Sequence, residues 1–179
     1  MDDERDRVKE QIRRVFVSAK RPPNGSLHGT IEGDEPPLLE ADFQDKHDWR
    51  ALDGAFLDQA PKGYASAFSF FSDDALRYFL PAFLIADLDG QLDRVDVPSR
   101  LSSWFTDESR SALVNPRRYG NPTKFEAKTQ RFRNLAPEEV AAVVTYLEHA
   151  AKHYQFCREP IDEALANYWR PRLRSLTGG

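Results

Sequence analysis

From Ala75 to Leu88 the sequence reads ALRYFLPAFLIADL, a run in which nearly every residue is apolar and a proline, Pro81, stands in the middle. An amphipathic surface helix carries its apolar residues in a stripe on one side. A run with no polar side predicts instead a helix buried on several faces, with the rest of the chain arranged around it. Ser72 is the expected N-cap, Asp73 and Asp74 put carboxylates at the positive end of the helix dipole, and Gly90 is the expected stop. Pro81 has no N–H for the helical ladder, so two expectations stand: the helix kinks there, or it breaks in two with Pro81 opening the second piece. Arg77 lies near the start of the run, and a guanidinium in so apolar a setting needs a counter-ion.

Other segments read as helices by the same logic. Between Asp3 and Ala19, residues Val8, Ile12, Val15, Phe16 and Ala19 recur at helical spacing, and Pro22-Pro23 ends the pattern. Asp48 caps an expected helix carrying Trp49, Leu52, Phe56 and Leu57 that stops before Pro61. Arg100–Val114 reads as one or two short helical turns. Pro137 followed by Glu138 and Glu139 is a strong first turn, with Val140, Val143, Val144, Leu147, Ala151 and Tyr154 as its core face. Pro160 opens a last helix with Ile161, Leu165, Tyr168 and Trp169. Residues 22–45 read as an acidic loop rich in Pro and Gly, and 115–134 as a basic loop region. A short edge strand is the expectation around Ser26–Ile31, and Ala65–Phe71 is expected as a short strand or a docked loop. The chain is therefore expected to be mainly α: a single compact domain of about five to seven helices around a buried central helix.

In chain order, Trp49, Ser72-Asp73-Asp74-Ala75, Tyr78-Phe79-Leu80-Pro81-Ala82-Phe83-Leu84, the Val140–Leu147 helix and Tyr168-Trp169 resemble a small bacterial family known as domain of unknown function 6714. Its mark is a helix reading roughly YLPAYL. The resemblance covers Val15 to Trp169, except for Ser103–Asn134. It implies a shared fold and carries no activity, cofactor or site residue with it.

Composition narrows the function classes. A single cysteine, Cys157, rules out an intrachain disulfide framework and suits a reducing compartment. The N-terminus MDDERDRVKE has charge where a signal peptide needs an apolar stretch, and Ala75–Leu88 falls short of the ~20 residues that span a bilayer. A cytoplasmic protein is expected. The net charge of −4 argues against a dedicated nucleic-acid binder. Gly-rich phosphate loops, the G-x-S-x-G elbow, H-E-x-x-H and C-x-x-C are all missing from the sequence.

Three clusters remain as candidate chemistry. His149, His153 and Cys157 recur every fourth residue, but positions eight apart on a helix are separated by ~12 Å. At most two of the three could therefore share a metal, with His149 and His153 the candidates, and Cys157 with His153 lacks an orienting third group for nucleophilic catalysis. Asp87, Asp89 and Asp93 flank Gly90 without the Gly and Glu spacing of a calcium loop. The third cluster is Arg117, Arg118, Tyr119, Lys124, Lys128, Arg131 and Arg133, interleaved with Phe125 and Phe132 and opposed by the acidic stretch Ile31–Asp48. Such a segment suits an acidic protein partner, a nucleic-acid strand, or pairing with its acidic counterpart. These features favour a non-enzymatic protein-binding module without cofactor, immunity-like or accessory in character. The alternatives are an enzyme assembled from dispersed residues such as His149, His153, Tyr146 and Arg77, and a nucleic-acid binder acting through 115–134.

Overall fold

A computed structural model describes residues 2–30, 32–154 and 158–178. Its contacts gather into two compact units, residues 1–97 and 98–179. The architecture is mainly α, as the periodicity implies. Among the described residues β structure is confined to isolated antiparallel bridges, His28 with Phe71 and Leu113 with Thr123. No helix among those residues is long and apolar enough to cross a membrane.

Unit 1 holds α1 (Asp2–Val15), α2 (Glu35–Phe43), α3 (Gly54–Gln59), α4 (Ala67–Phe70) and α5 (Asp73–Leu88). In α5, Ser72 caps the helix by accepting from the Ala75 N–H, and residues from Ala75 to Leu88 are buried with the exceptions of Arg77 and Ile85. The helix runs unbroken through Pro81, which removes the expectation of two separate pieces. Neighbours close over it. α1 lies along α5 with Val8, Ile12 and Phe16 buried, and Lys9 Nζ reaches Asp89 Oδ1 at 2.7 Å. Phe43 meets Phe71 and Phe79 with ring centroids 4.9 Å apart, and Phe71 stacks on Phe79. Aromatic pairs at this spacing add to what their buried area supplies.

Three readings of unit 1 are corrected. Residues 22–45 are not all loop: α2 forms within them, because Pro36 and Pro37 fall in the first turn, where no backbone N–H is needed. The helix expected from Asp48 is two pieces, a 3₁₀ turn at Trp49–Ala51 capped by Asp48, then α3 capped by Asp53. A side chain at Gly54 would run into Gln91, so the start of α3 can approach that loop only as glycine. Ala65–Phe71, expected as a strand or loop, contains the single-turn α4.

Unit 2 takes up α6 (Val97–Ser102), α7 (Pro116–Tyr119), α8 (Lys124–Arg131), α9 (Pro137–His153), α10 (Arg158–Ala164), a π-helical turn (Leu165–Trp169) and α11 (Arg170–Thr177). The 115–134 segment is thus mostly helical, not loop: Pro116 opens α7, and a reciprocal Thr123–Glu126 capping box starts α8. α10 and α11 pack on α9, and the π turn packs against both α9 and α10. The wider turn brings Tyr168 and Trp169 onto the same aromatic cluster. Tyr168 stacks face to face on Phe105 at 4.0 Å, and Trp169 lies 5.0 Å from Phe132 while its Nε1 donates to the Leu101 carbonyl. That buried indole N–H is satisfied at the end of α6, where helical carbonyls lack partners.

Candidate functional site

Two places in the fold collect candidate side chains for a site. The first is a cleft of about 820 Å³ in unit 1, formed by the 3₁₀ turn that follows α1, the 20–28 loop and the first turns of α5. Its wall carries Lys20, Arg21, His28 and Arg77 with one carboxylate, Asp74. Arg21 builds the wall. Its Nε donates to the Lys46 carbonyl, its Nη1 to the Pro22 carbonyl, and its Nη2 to Asn24 Oδ1 and the carbonyls of Phe43 and Gln44. A cation thereby sits on the C-terminal carbonyls of α2 and ties that helix to the 20–25 loop. All of those acceptors are neutral. His28 holds Nδ1 at 2.9 Å from the Thr30 carbonyl, which places the proton on Nδ1. Arg77, expected to need a counter-ion, reaches the cleft from α5 and is engaged by neighbouring groups.

Four acids of Ile31–Asp48 serve unit 1 locally. Glu40 accepts from the backbone N–H groups of Gly25 and Leu27, Asp42 from that of Lys62, and Asp48 from that of Arg50. Asp45 pairs with Lys46, which holds its carboxyl below the usual range.

The second place is an arm in unit 2. Backbone hydrogen bonds from Val114 N to the Pro122 carbonyl and from Lys124 N to the Ala112 carbonyl clamp its base around the Leu113–Thr123 bridge. Every residue from Asn115 to Asn121 is exposed, with Leu113 at 42% and Tyr119 at 54%. Arg118 stacks over the Tyr119 ring at 5.3 Å, while Arg117 and Lys124 have no side-chain partner among the described residues. The other members of the cluster lie elsewhere. Arg133 donates to Gln130, and Arg131 is half-buried. Lys128 Nζ donates to the Arg100 carbonyl at 2.7 Å and lies 3.4 Å from Ser103 Oγ. Withdrawal from water, with Arg131 and Arg100 nearby, pushes that amine down to about 7. Of the interleaved aromatics, Phe132 is buried and Phe125 packs between Phe105 and the Arg110 guanidinium. Tyr119 alone among them is displayed.

His149 is buried and His153 exposed on α9, one turn apart, with ring centroids at 4.3 Å. They offer two imidazoles to one point, half of what a structural zinc takes. Cys157 lies outside the described residues. Tyr146 is buried on the same helix. Asp89, one of the three aspartates around Gly90, is held by Lys9.

Charge separates the two units. Residues 1–97 carry 12 Lys and Arg against 20 Asp and Glu, a net of −8; residues 98–179 carry 13 against 9, a net of +4. The cleft is therefore a cationic spot in an acidic unit, and the arm is the projecting part of a basic one. Sequence reasoning singled out the arm from its composition but passed over Lys20, Arg21 and His28, whose only local signal is a Lys-Arg pair preceding Pro22-Pro23.

No curated protein and no solved structure matches the chain. The model of a family described as "Family of unknown function (DUF6714)" matches residues 4–173, a wider span than the motif resemblance and one that includes Ser103–Asn134. This chain belongs to that family.

Proposed function

We propose that this chain is a non-enzymatic, cytoplasmic protein-binding module and that the Leu113–Lys124 arm is its anchor for an acidic partner protein. The observation that carries the reading is the arm itself: a loop clamped at its base, displaying Arg117, Arg118, Tyr119 and Leu113 to solvent. Arg and Tyr dominate the energetics of protein interfaces, where they combine large contact area with charge-directed hydrogen bonds. The clamped base lowers the entropy lost on docking. The net charge of +4 on unit 2 favours an acidic surface and speeds encounter with it. An exposed leucine beside the arginines suits a protein better than a phosphate backbone.

The test is purification of the full chain from its native cells with a photocrosslinker in place of Tyr119. A stoichiometric acidic protein crosslinked there, and lost in an Arg117→Glu/Arg118→Glu variant of unchanged circular dichroism, is the expected result. The idea fails if purification returns no stoichiometric partner. It gives way to the nucleic-acid alternative if the arm instead titrates a fluorescent oligonucleotide with a steep salt dependence.

A further inference from the structure

We infer that His149 and His153 form a two-imidazole chelate for a late first-row divalent cation of the nickel, copper and zinc class, a site distinct from the Leu113–Lys124 arm. The pair stands one turn apart on α9, which runs without a break to His153, so both side chains fall on the same face of the helix. Their ring centroids are 4.3 Å apart, and a ligand nitrogen of each lies within 4.8 Å of one of the other. Two nitrogens that each sit ~2.1 Å from one ion are roughly 3 Å apart. A small rotation of one ring therefore closes the chelate. Burial is divided between the two rings as such a site needs. His149 is 8% exposed and its ring is held by packing, while His153 is exposed and turns onto the ion from the water side. His149 is engaged by neighbouring groups. An imidazole has two nitrogens, so one can keep such a partner, which fixes ring and tautomer, while the other ligates.

The surroundings select the class of metal. Lys152, three residues from His149, adds a like charge to this face, and unit 2 as a whole carries a net charge of +4. Field alone therefore repels a cation, and binding has to come from the nitrogen lone pairs. Imidazole pairs favour nickel, copper and zinc, whereas magnesium and calcium need oxygen ligands that this face does not supply. Among the described residues of unit 2, no third carboxylate, thiolate or imidazole closes on the pair. The chelate is open, with its remaining positions left to water or to a donor from another molecule. That separates it from a structural zinc centre, which takes four protein ligands.

Isothermal titration of the full chain, stripped of metal with EDTA, against Ni²⁺ and Mg²⁺ tests the assignment. Saturable binding of one equivalent of Ni²⁺, no binding of Mg²⁺ and a melting temperature that rises with Ni²⁺ concentration are the expected results. The chain has four histidines, so two variants locate the ion. His153→Ala should weaken Ni²⁺ about a hundredfold, because the second arm of a chelate acts at a high effective concentration. His153 is exposed, so this variant keeps the fold, which thermal melting without metal verifies, and His153→Gln replaces it if the alanine melts early. His28→Ala/His47→Ala should bind Ni²⁺ as the parent does. The assignment is overturned if the parent gives no saturable heat at millimolar Ni²⁺, or if loss of His153 leaves binding unchanged. It is likewise overturned if the His28 and His47 variant loses the ion, or if Mg²⁺ binds as tightly as Ni²⁺. Arg117→Glu/Arg118→Glu should take up Ni²⁺ as the parent does, which separates failure here from failure of the protein-binding reading.

Discussion

Single residues in this protein carry work out of proportion to their local sequence signal. Arg21 joins three carbonyls at the end of α2 to the turn that follows α1, and Glu40 answers from α2 by holding the N–H groups of Gly25 and Leu27. Loop backbone that packs on a core must find such partners, since buried polar groups left unmet cost a few kcal/mol each. Phe83 illustrates the opposite kind of residue, fully buried and without a polar role, touching Phe68 edge-on at 5.7 Å and Phe71 at 6.4 Å. Phe83→Ala should lower the stability of the chain by about 3–5 kcal/mol, as removal of a core aromatic leaves both lost contact and a cavity. Urea denaturation measures this directly, and an unchanged midpoint would contradict the burial of that face of α5. Phe83 was legible in the sequence because an apolar run announces itself. Arg21 was not, because three of its five acceptors come from a stretch of chain more than twenty residues away.

At the level of elements, α5 and α8 show how far a local pattern reaches. The N-cap, acidic first turn and apolar length of α5 are all in its sequence, and the structure keeps Pro81 inside one continuous helix. Its burial on nearly every side stabilises a helix that lacks one backbone hydrogen bond. α8 is also locally specified, by the Thr123–Glu126 capping box, and Glu126 is held below the usual carboxylate range by its bonds to Thr123. What its sequence did not disclose is which of its cations face solvent. Lys128 turns inward to the Arg100 carbonyl at the end of α6, where a donor is wanted.

That placement has a pH consequence. The amine is pushed from 10.5 down to about 7 by burial first and by Arg131 and Arg100 second. Between those two values the unfolded chain holds a proton there that the folded chain does not, so stability rises with pH across that window. Below pH 7 both states are protonated and the slope vanishes. Measured by urea midpoints, the stability of the parent relative to a Lys128→Met variant should climb from pH 7 to pH 10. A difference that stays flat would mean the amine is not depressed.

For the whole molecule the governing fact is charge segregation, −8 on residues 1–97 and +4 on 98–179. A chain whose net charge of −4 suggests an ordinary acidic protein is divided along its sequence into an acidic and a basic unit. At low salt and neutral pH it should be retained on both anion- and cation-exchange resins. Arg117→Glu/Arg118→Glu brings unit 2 to zero net charge and should abolish the second retention while leaving the first. Retention on the anion exchanger alone would show that the basic unit presents no usable surface. By itself the sequence determined the α class, the buried faces of α1 and α5, the valine face of α9 but not the exposed Tyr154 that the same spacing assigned to it, most of the caps, and membership of the family, because helical periodicity and capping act within a few residues of chain. It also picked out the arm, whose residues are contiguous. The tertiary structure alone decided the helix inside 22–45, the local use of the acidic segment, the inward turn of Lys128 and the cleft. The cleft draws its cations from positions as far apart as Lys20 and Arg77, and no pattern read along the chain reports which distant segments a packed core brings to one wall.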